Sequence, residues 1–187
     1  SCNELIRVKV DNTTAEYIYQ DSQKMIQSLI SSIKTVEAKI QEILYQEACL
    51  KENYDLLISI KGIGMINAVL VLVFTGNFTL FSDARKFGCY CGVVPFEHSS
   101  GTSVKGRDKI SHLANKSVKT SLTQAARTAV MHDASLKAYY QRKKLEGKPD
   151  RLIINNVRNK LIHRMFAVVK TRRKYENNYQ HPLQFAA

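Results

Sequence analysis

The chain has 187 residues, and its 28 Lys and Arg against 16 Asp and Glu give a formal net charge of +12 at pH 7. This length allows one hydrophobic core with a protruding helix, or two small units. The longest apolar run, Ala68–Phe74, is far shorter than a membrane span, and we find no signal peptide, so a membrane-embedded or secreted protein is not expected.

The charge is unevenly distributed along the chain. Residues 1–50 contain five Lys and Arg against seven Asp and Glu, so the remaining residues carry a net charge of +14. Such a division suggests an almost neutral scaffold joined to a body that binds a polyanion. Ribosomal and membrane-surface proteins are basic too, so the charge favours nucleic acid without proving it.

The four cysteines do not form a zinc framework. Cys89 and Cys91 are closer than the usual ligand spacing, and no second Cys or His pair could complete a site. We therefore expect free thiols in a reducing cytosol and no metal site in this chain. The chain does not begin with methionine and opens within a pattern, which suggests a fragment of a longer protein.

The first predicted element is a long helix from about Thr14 to Leu50, a stretch without proline or glycine. Its apolar residues are spaced alternately three and four apart, which is a heptad seam. The seam consists of Ile26, Leu29, Ile33, Val36, Ile40 and Ile43. We predict a coiled-coil or dimerisation unit over residues 1–52. The alternative is an ordinary amphipathic helix that packs on its own domain.

A glycine-containing turn follows, at Ile60-Lys61-Gly62-Ile63-Gly64, between two apolar helical segments. This pattern resembles the helix-hairpin-helix motif, in which glycines expose backbone N–H groups at the start of the second helix. Lys61, Gly62 and Gly64 are therefore candidate DNA-backbone contacts, independent of base sequence. The alternative is an αα-hairpin that packs but binds nothing.

The central segment predicts a short helix over Ala84–Cys91, a loop over Val93–Gly106 and a helix from Ser111 to about Met131. The loop combines hydroxyls, glycines and cations, which a nucleophile acting on DNA would need. The following helix has a buried stripe and, on its opposite face, a basic track. The stripe is Val118, Leu122, Ala125 and Ala129, and the track is Lys116, Lys119, Thr123 and Arg127.

Two further helices are predicted, one over Ser135–Glu146 and one that begins at Pro149-Asp150. The last has an apolar stripe formed by Ile154, Val157, Leu161, Met165 and Val168. Twelve bases and two acids lie between residues 141 and 174, as expected for a polyanion partner or for solubility. We expect a frayed tail over residues 176–187 and no strand besides, at most, Leu5–Val10.

These residues together resemble the C-terminal half of transposases of the insertion-sequence 110/116/902 family, the bridge-RNA-guided recombinases. The resemblance covers roughly residues 55–175 and rests on an ordered set of spaced motifs. They are Ile60-Lys61-Gly62-Ile63-Gly64, Phe81-x-x-Ala84-Arg85-x-Phe87, Gly92-Val93-Val94-Pro95, Ser100-Gly101-x-Ser103-Val104-x-Gly106 and Asn159-Lys160-Leu161. The implied fold is mainly α: a long coiled-coil helix before a helical transposase domain, residues 53–175, that contains the helix-hairpin-helix.

The resemblance also implies a chemistry. Ser100 would attack a DNA phosphodiester and form a phosphoserine link, while Lys105, Arg107 and Lys109, with Lys116 and Lys119 beyond them, would bind phosphate. Magnesium would be held by acidic residues of an RNase-H-like domain that these 187 residues lack, so the fragment alone is expected to be inactive. Implied partners are DNA, a structured guide RNA and further copies of the chain, as a homodimer or higher oligomer in the bacterial cytoplasm, associated with the nucleoid.

Departures from the family pattern at three positions weaken individual phosphate contacts. Ala114 and Lys119 stand where relatives tend to have glycine and arginine, and His112 stands where they often have lysine. Lysine keeps the charge but lacks the planar fork that binds phosphate bidentately.

Alternatives remain open at the sequence level. Ser99 and Ser103 rival Ser100, and His98 is a weak candidate for its general base because histidines two residues away in a loop rarely have the required geometry. The chain could instead be a non-enzymatic helix-hairpin-helix module that binds DNA or RNA, or an assembly element that pairs subunits through residues 14–50.

Overall fold

The computed structural model describes residues 11–95, 99–100, 104–105 and 113–176, with the backbone alone described at 99–100 and 104–105. Its helices are α1 Asn12–Gln46, α2 Ala48–Ile58, α3 Met65–Thr75, α4 Ala84–Tyr90, α5 Lys116–His132, α6 Ala134–Leu145 and α7 Asp150–Thr171. Two short strands, β1 Ser99–Ser100 and β2 Val104–Lys105, lie between α4 and α5. The prediction of a mainly α fold is confirmed.

The long predicted helix is interrupted. α1 ends at Gln46 because Glu47 is extended, with φ −111° and ψ 114°, and α2 begins one residue later. The chain divides into two units at this point, the first ending at Glu47 and the second beginning at Ala48.

Helix α1 exposes most of its predicted seam. Ile26, Leu29, Ile33, Val36 and Ile43 are between 45% and 59% exposed, and Ile40 is half-buried. Only Leu44 of this helix is buried. The apolar stripe therefore remains open to solvent within the first unit, and the coiled coil remains a prediction.

The second unit is built around α5 and α7, which pack on each other, with α2, α3, α4 and α6 against this pair. The predicted stripe of α5 is confirmed, since all four of its residues are at most 1% exposed. The apolar stripe predicted for α7 is wrong at one position. The prediction named Ile154, which is half-buried, whereas its neighbour Ile153 is buried. The largest fully buried side chains are Phe87, Leu57, Ile60, Leu122, Leu136, Ile153, Leu161, Ile162 and Met165.

Helix α4 is held on α7 through aromatic rings. Phe87 contacts Phe166 of α7 at a centroid distance of 5.9 Å and lies 5.3 Å from Phe81 and 6.1 Å from Tyr90. Such pairs add to the burial of their apolar area. This cluster fixes the C-terminal end of α4, from which the serine-bearing connection to α5 departs.

The segment predicted as a continuous loop contains a small hairpin. Ser99 pairs with Lys105 and Ser100 with Val104 in an antiparallel register. Three residues including Gly101 connect the strands, a common hairpin length. The prediction of no strand here was therefore wrong, and Leu5–Val10 lies outside the described residues.

Two boundaries differ from prediction. Helix α5 begins at Lys116 rather than Ser111, because Asn115 Oδ1 accepts the N–H of Val118 and caps the first turn. Helix α4 ends at Tyr90, one residue before the predicted end at Cys91. Within the described ranges, no helix combines the length and apolar character needed to cross a bilayer.

Candidate nucleic-acid interface

The glycine turn between α2 and α3 is seated on α5. Gly62 has φ +95°, which favours glycine, and a Cβ there would lie 2.6 Å from Ala129 Cβ and 2.7 Å from the Ala125 carbonyl oxygen. On either side of it, Ile60 and Ile63 are buried and linked by a backbone hydrogen bond of 3.0 Å. Gly62 therefore lets the turn pack on α5. From the sequence alone, this packing role could not be distinguished from a contact with DNA.

Gly64 has a different environment. It is the exposed N-cap of α3, it makes no side-chain capping bond, and a Cβ there would meet nothing within 4 Å. Gly64 thus supplies no side-chain cap at the positive end of α3, the kind of helix end that suits an anion. Lys61, next to the turn, is exposed.

A shallow pocket lies between this turn and α5. Its volume is about 350 Å³, and Asn67 of α3 and Gln124 of α5 contribute polar groups. Ser121 Oγ donates to Asn67 Oδ1 at 2.7 Å and so ties the two helices beside it. The remaining lining residues are Gly62, Ile63, Gly64, Ala125 and Thr128.

The connection between α4 and α5 is anchored at both ends. At its start, the N–H groups of Val93 and Val94 donate to the Gly88 carbonyl, and Asn155 Nδ2 of α7 donates to the Val93 carbonyl at 3.0 Å. At its end, Asn115 bonds to Tyr90. A Cβ on Gly88 would lie 2.8 Å from Val94 Cγ2, so glycine permits this close approach.

The predicted loop residues are described only in part. Ser100 lies in β1 and Lys105 in β2, on opposite strands of the hairpin, and Ser99 pairs with Lys105. Arg107, Lys109, His98 and Ser103 lie outside the described residues. The assignment of Ser100 as nucleophile stays a prediction.

Two of the three basic residues predicted on α5, Lys116 and Lys119, differ in burial. Lys116 is exposed at the first helical position, whereas Lys119 is half-buried. Burial and the positive charge of Arg158 lower the pKa of Lys119, and burial lowers the pKa of Arg158. Sequence reasoning missed Arg158, because its only signal was membership of the basic stretch 141–174.

A second basic cluster lies on α6 and α7. Lys160 Nζ is 4.7 Å and Arg142 Cζ 5.7 Å from the ring centroid of Tyr139, within cation–π range. These residues and Arg164 line a pocket of about 370 Å³. The excess of bases after residue 141 pointed to this surface, but no motif identified it.

The described part of the chain contains no group of three or more His, Cys, Asp or Glu side chains arranged for a metal ion. Cys49, Cys89 and Cys91 are not joined in disulfides, and burial raises the pKa of Cys91 to about 12. This thiol is inert at neutral pH.

The family model and the relatives that match this chain point to the same family. Residues 54–141 match the family model described as Transposase IS116/IS110/IS902 family. The chain is 27% identical over 166 residues to an insertion element IS110 uncharacterized 43.6 kDa protein of Streptomyces coelicolor, covering 87% of this chain and 41% of the relative.

Two other relatives have related names. A pilin gene-inverting protein of Moraxella bovis is 24% identical over 161 residues, covering 86% of this chain and 50% of the relative. A probable family 20 transposase of Pseudomonas aeruginosa is 26% identical over 113 residues, covering 57% of this chain and 32% of the relative. The chain thus spans half or less of the length of these relatives.

Proposed function

The chain belongs to the transposase IS116/IS110/IS902 family, and from this premise we propose that it supplies the serine-bearing and DNA-binding part of a DNA transposase. Ser100 is the proposed nucleophile. The supporting observation is that the connection bearing Ser100 is fixed at both ends to the basic helical unit, by Asn155 at its start and Asn115 at its end.

The proposed reaction is a transfer of a phosphodiester bond. The Ser100 Oγ attacks phosphorus and loses its proton to water, the bond from phosphorus to the leaving deoxyribose oxygen breaks, and that oxygen takes a proton from water. The phosphoserine link keeps the bond energy. Attack on it by the hydroxyl of another strand restores serine and joins the new strand. Lys105, Arg107 and Lys109 would neutralise charge on the phosphate.

The glycine turn would hold the duplex backbone. The amides at the start of α3, where Gly64 supplies no side-chain cap, are suited to a phosphate oxygen, and Lys61 and Lys116 add positive charge at the surface. This is the helix-hairpin-helix role proposed for residues 56–72. Such contacts give affinity without reading base sequence.

The family resemblance supports further proposals that concern the whole recombinase. Magnesium would be bound by an acidic RNase-H-like domain, and the active site would combine groups from both domains and from more than one subunit. The 187-residue chain alone would then bind DNA without cutting it. The complete recombinase would also bind a structured guide RNA and act as an oligomer associated with the bacterial nucleoid.

The test replaces the proposed nucleophile in the complete transposase of the element. We expect Ser100→Ala to retain binding of DNA and to lower strand cleavage and joining by about 10⁴ or to background. Ser99→Ala and Ser103→Ala are matched controls, expected to keep most activity. Undiminished strand exchange by Ser100→Ala would exclude Ser100 as the nucleophile.

The non-enzymatic alternative is favoured by one observation, the uncapped start of α3 beside a turn that packs firmly on α5. A binding module of this kind would hold DNA or a structured RNA, with salt-sensitive affinity. It predicts full activity of the natural assembly without Ser100, so the same variant separates the two functions.

A further inference from the structure

Thr123 of α5 contacts Arg158 of α7 and the backbone of Lys119. Arg158 Nη1 donates to Thr123 Oγ1 at 3.3 Å, and the same hydroxyl donates to the Lys119 carbonyl at 2.7 Å. Lys119 lies one helical turn before Thr123, so the ammonium and the guanidinium share one side of the α5–α7 contact. We call Lys119, Thr123 and Arg158 the phosphate cluster.

In the described part of the chain, the two cations of the phosphate cluster lack a counter-ion. Within the described ranges, no carboxylate lies within 4.0 Å of Lys119 or Arg158. Burial and, after it, the positive charge of Arg158 lower the pKa of Lys119, as expected when two half-buried like charges lie close together. Two half-buried like charges are unfavourable unless an anion joins them.

Arg164, on the same helix, shows that the fold can neutralise an arginine when it uses one for structure. Its Nη1 lies 2.7 Å from Asp133 Oδ2, and its Nη2 donates to Ser135 Oγ at 3.0 Å. Arg158, two turns earlier, has only the neutral hydroxyl of Thr123. This contrast argues against a purely structural role for Arg158.

Unsatisfied polar atoms accompany the two charges. Arg158 Nε and Asn159 Oδ1 are buried without a hydrogen-bond partner. Orphaned buried groups of this kind are uncommon and destabilise the folded chain. Arg158 Nη2 makes no hydrogen bond in the described structure and is not among the buried atoms, so it can donate to a ligand. The guanidinium thus retains unused donors.

The phosphate cluster lies beside the point where the serine-bearing connection leaves and rejoins the helices. The N–H of Lys119 donates to the Asn115 carbonyl, at the end of the connection. Asn155, about one turn before Arg158, donates to the Val93 carbonyl, at its start. A ligand held at Lys119 and Arg158 would therefore lie near both roots of this connection.

We propose that Lys119 and Arg158 together bind one phosphodiester group of DNA beside the serine-bearing connection, with Thr123 positioning the guanidinium. A phosphate oxygen would accept from Arg158 Nη2 and another from Lys119 Nζ, which removes the like-charge repulsion. The choice of DNA as ligand rests on the proposed function, whereas the anion site rests on the cluster itself.

The experiment measures binding of the full 187-residue chain to a fluorescein-labelled DNA duplex over a series of salt concentrations. Lys119→Gln and Arg158→Gln are each expected to weaken binding by roughly tenfold, as for a lost charge-assisted bond, and to reduce the salt slope by about 0.9. Lys170→Gln, an exposed α7 residue outside the cluster, is the matched control. Thr123→Val should weaken binding by a smaller factor.

A second measurement needs no duplex. Addition of inorganic phosphate should shift the side-chain NMR resonance of the Arg158 Nε–H saturably, and Lys119→Gln should weaken this effect. If Arg158→Gln fails to fold, Arg158→Lys, which keeps the charge and loses the fork, and Lys119→Gln carry the test.

Several outcomes would overturn the proposal. Losses no larger than that of Lys170→Gln, or no saturable response of the Arg158 resonance, would exclude an anion site. Weakened binding of an RNA duplex with unchanged DNA binding would exclude DNA as the ligand. Loss of DNA binding in these variants, combined with full strand exchange by Ser100→Ala, would support the phosphate cluster and exclude Ser100 as the nucleophile.

Discussion

Asn115 is joined to Tyr90 by two hydrogen bonds: its backbone N–H donates to the Tyr90 carbonyl at 2.9 Å and its Nδ2 to the Tyr90 hydroxyl at 3.1 Å. The same side chain caps α5 through Oδ1, which accepts the Val118 N–H. One asparagine thus closes the connection between α4 and α5 and starts the helix that contains Lys119.

We predict that Asn115→Ala lowers the free energy of unfolding by about 1–2 kcal/mol, because it removes a helix cap and the bond to the Tyr90 hydroxyl. Tyr90→Phe should lower it by about half as much, since only one bond is lost. Urea denaturation measures both. Equal stability of Asn115→Ala and the natural chain would contradict the anchoring role.

Gly62 and Gly64 offer a matched pair of substitutions. Gly62→Ala places a methyl group 2.6 Å from Ala129 Cβ at a φ of +95°, and we expect a loss of about 3 kcal/mol or more. Gly64→Ala meets no atom within 4 Å, so we expect less than about 1 kcal/mol. Thermal denaturation followed by circular dichroism measures the difference.

The two glycine variants also separate packing from DNA contact. A folded Gly64→Ala protein with weaker salt-sensitive DNA binding would support contact at the start of α3. Unchanged DNA binding by Gly64→Ala would instead contradict the proposed role of that helix end. A Gly62→Ala protein as stable as Gly64→Ala would show that the turn is not seated on α5.

The ion pair between Arg164 and Asp133 is expected to dominate the pH dependence of stability among the described groups. The Asp133 side chain is 0% exposed. Burial raises the pKa of its carboxyl, but hydrogen bonds from Ser135, Leu136 and Arg164 outweigh this and lower it below 3.8. Because the folded-state pKa is the lower one, this stabilisation is present above pH 3.8 and lost as the pH falls through the folded-state value.

Arg164→Met should therefore destabilise the chain by about 3–5 kcal/mol at pH 7, because it leaves a buried carboxylate uncompensated. This loss of stability should become smaller as the pH falls and Asp133 becomes protonated. Arg142→Gln, which breaks the exposed contact with Glu146 at 3.9 Å, is the control and should change stability by less than about 0.5 kcal/mol. A pH-independent loss in Arg164→Met would contradict the assigned cause.

The exposed seam of α1 predicts self-association. Apolar side chains repeating as a heptad and about half exposed favour a partner helix, and we propose a second copy of the chain. The double variant Ile33→Lys with Val36→Lys should be a monomer by light scattering, whereas Lys34→Gln, off the seam, should associate as the natural chain does. A natural chain that stays monomeric at high concentration would exclude this role.

Much of the secondary structure followed from local sequence. Apolar residues spaced three and four apart predicted the buried face of α5, and Gly62 predicted a tight turn before α3. These features depend on neighbours within one or two turns, so periodicity and a few special residues determine them. The break at Glu47 and the hairpin at Ser99–Ser100 had weaker local signals and were missed.

The sequence by itself determined the helical class, the basic character of the second unit and the family resemblance. Only the tertiary structure decided that Gly62 meets Ala129, that Asn115 closes on Tyr90 and that Lys119 stands beside Arg158 with no carboxylate of the described residues within 4.0 Å. These pairs are separated by 25 to 67 residues in the chain. Their proximity depends on how the helices pack, which no local pattern encodes.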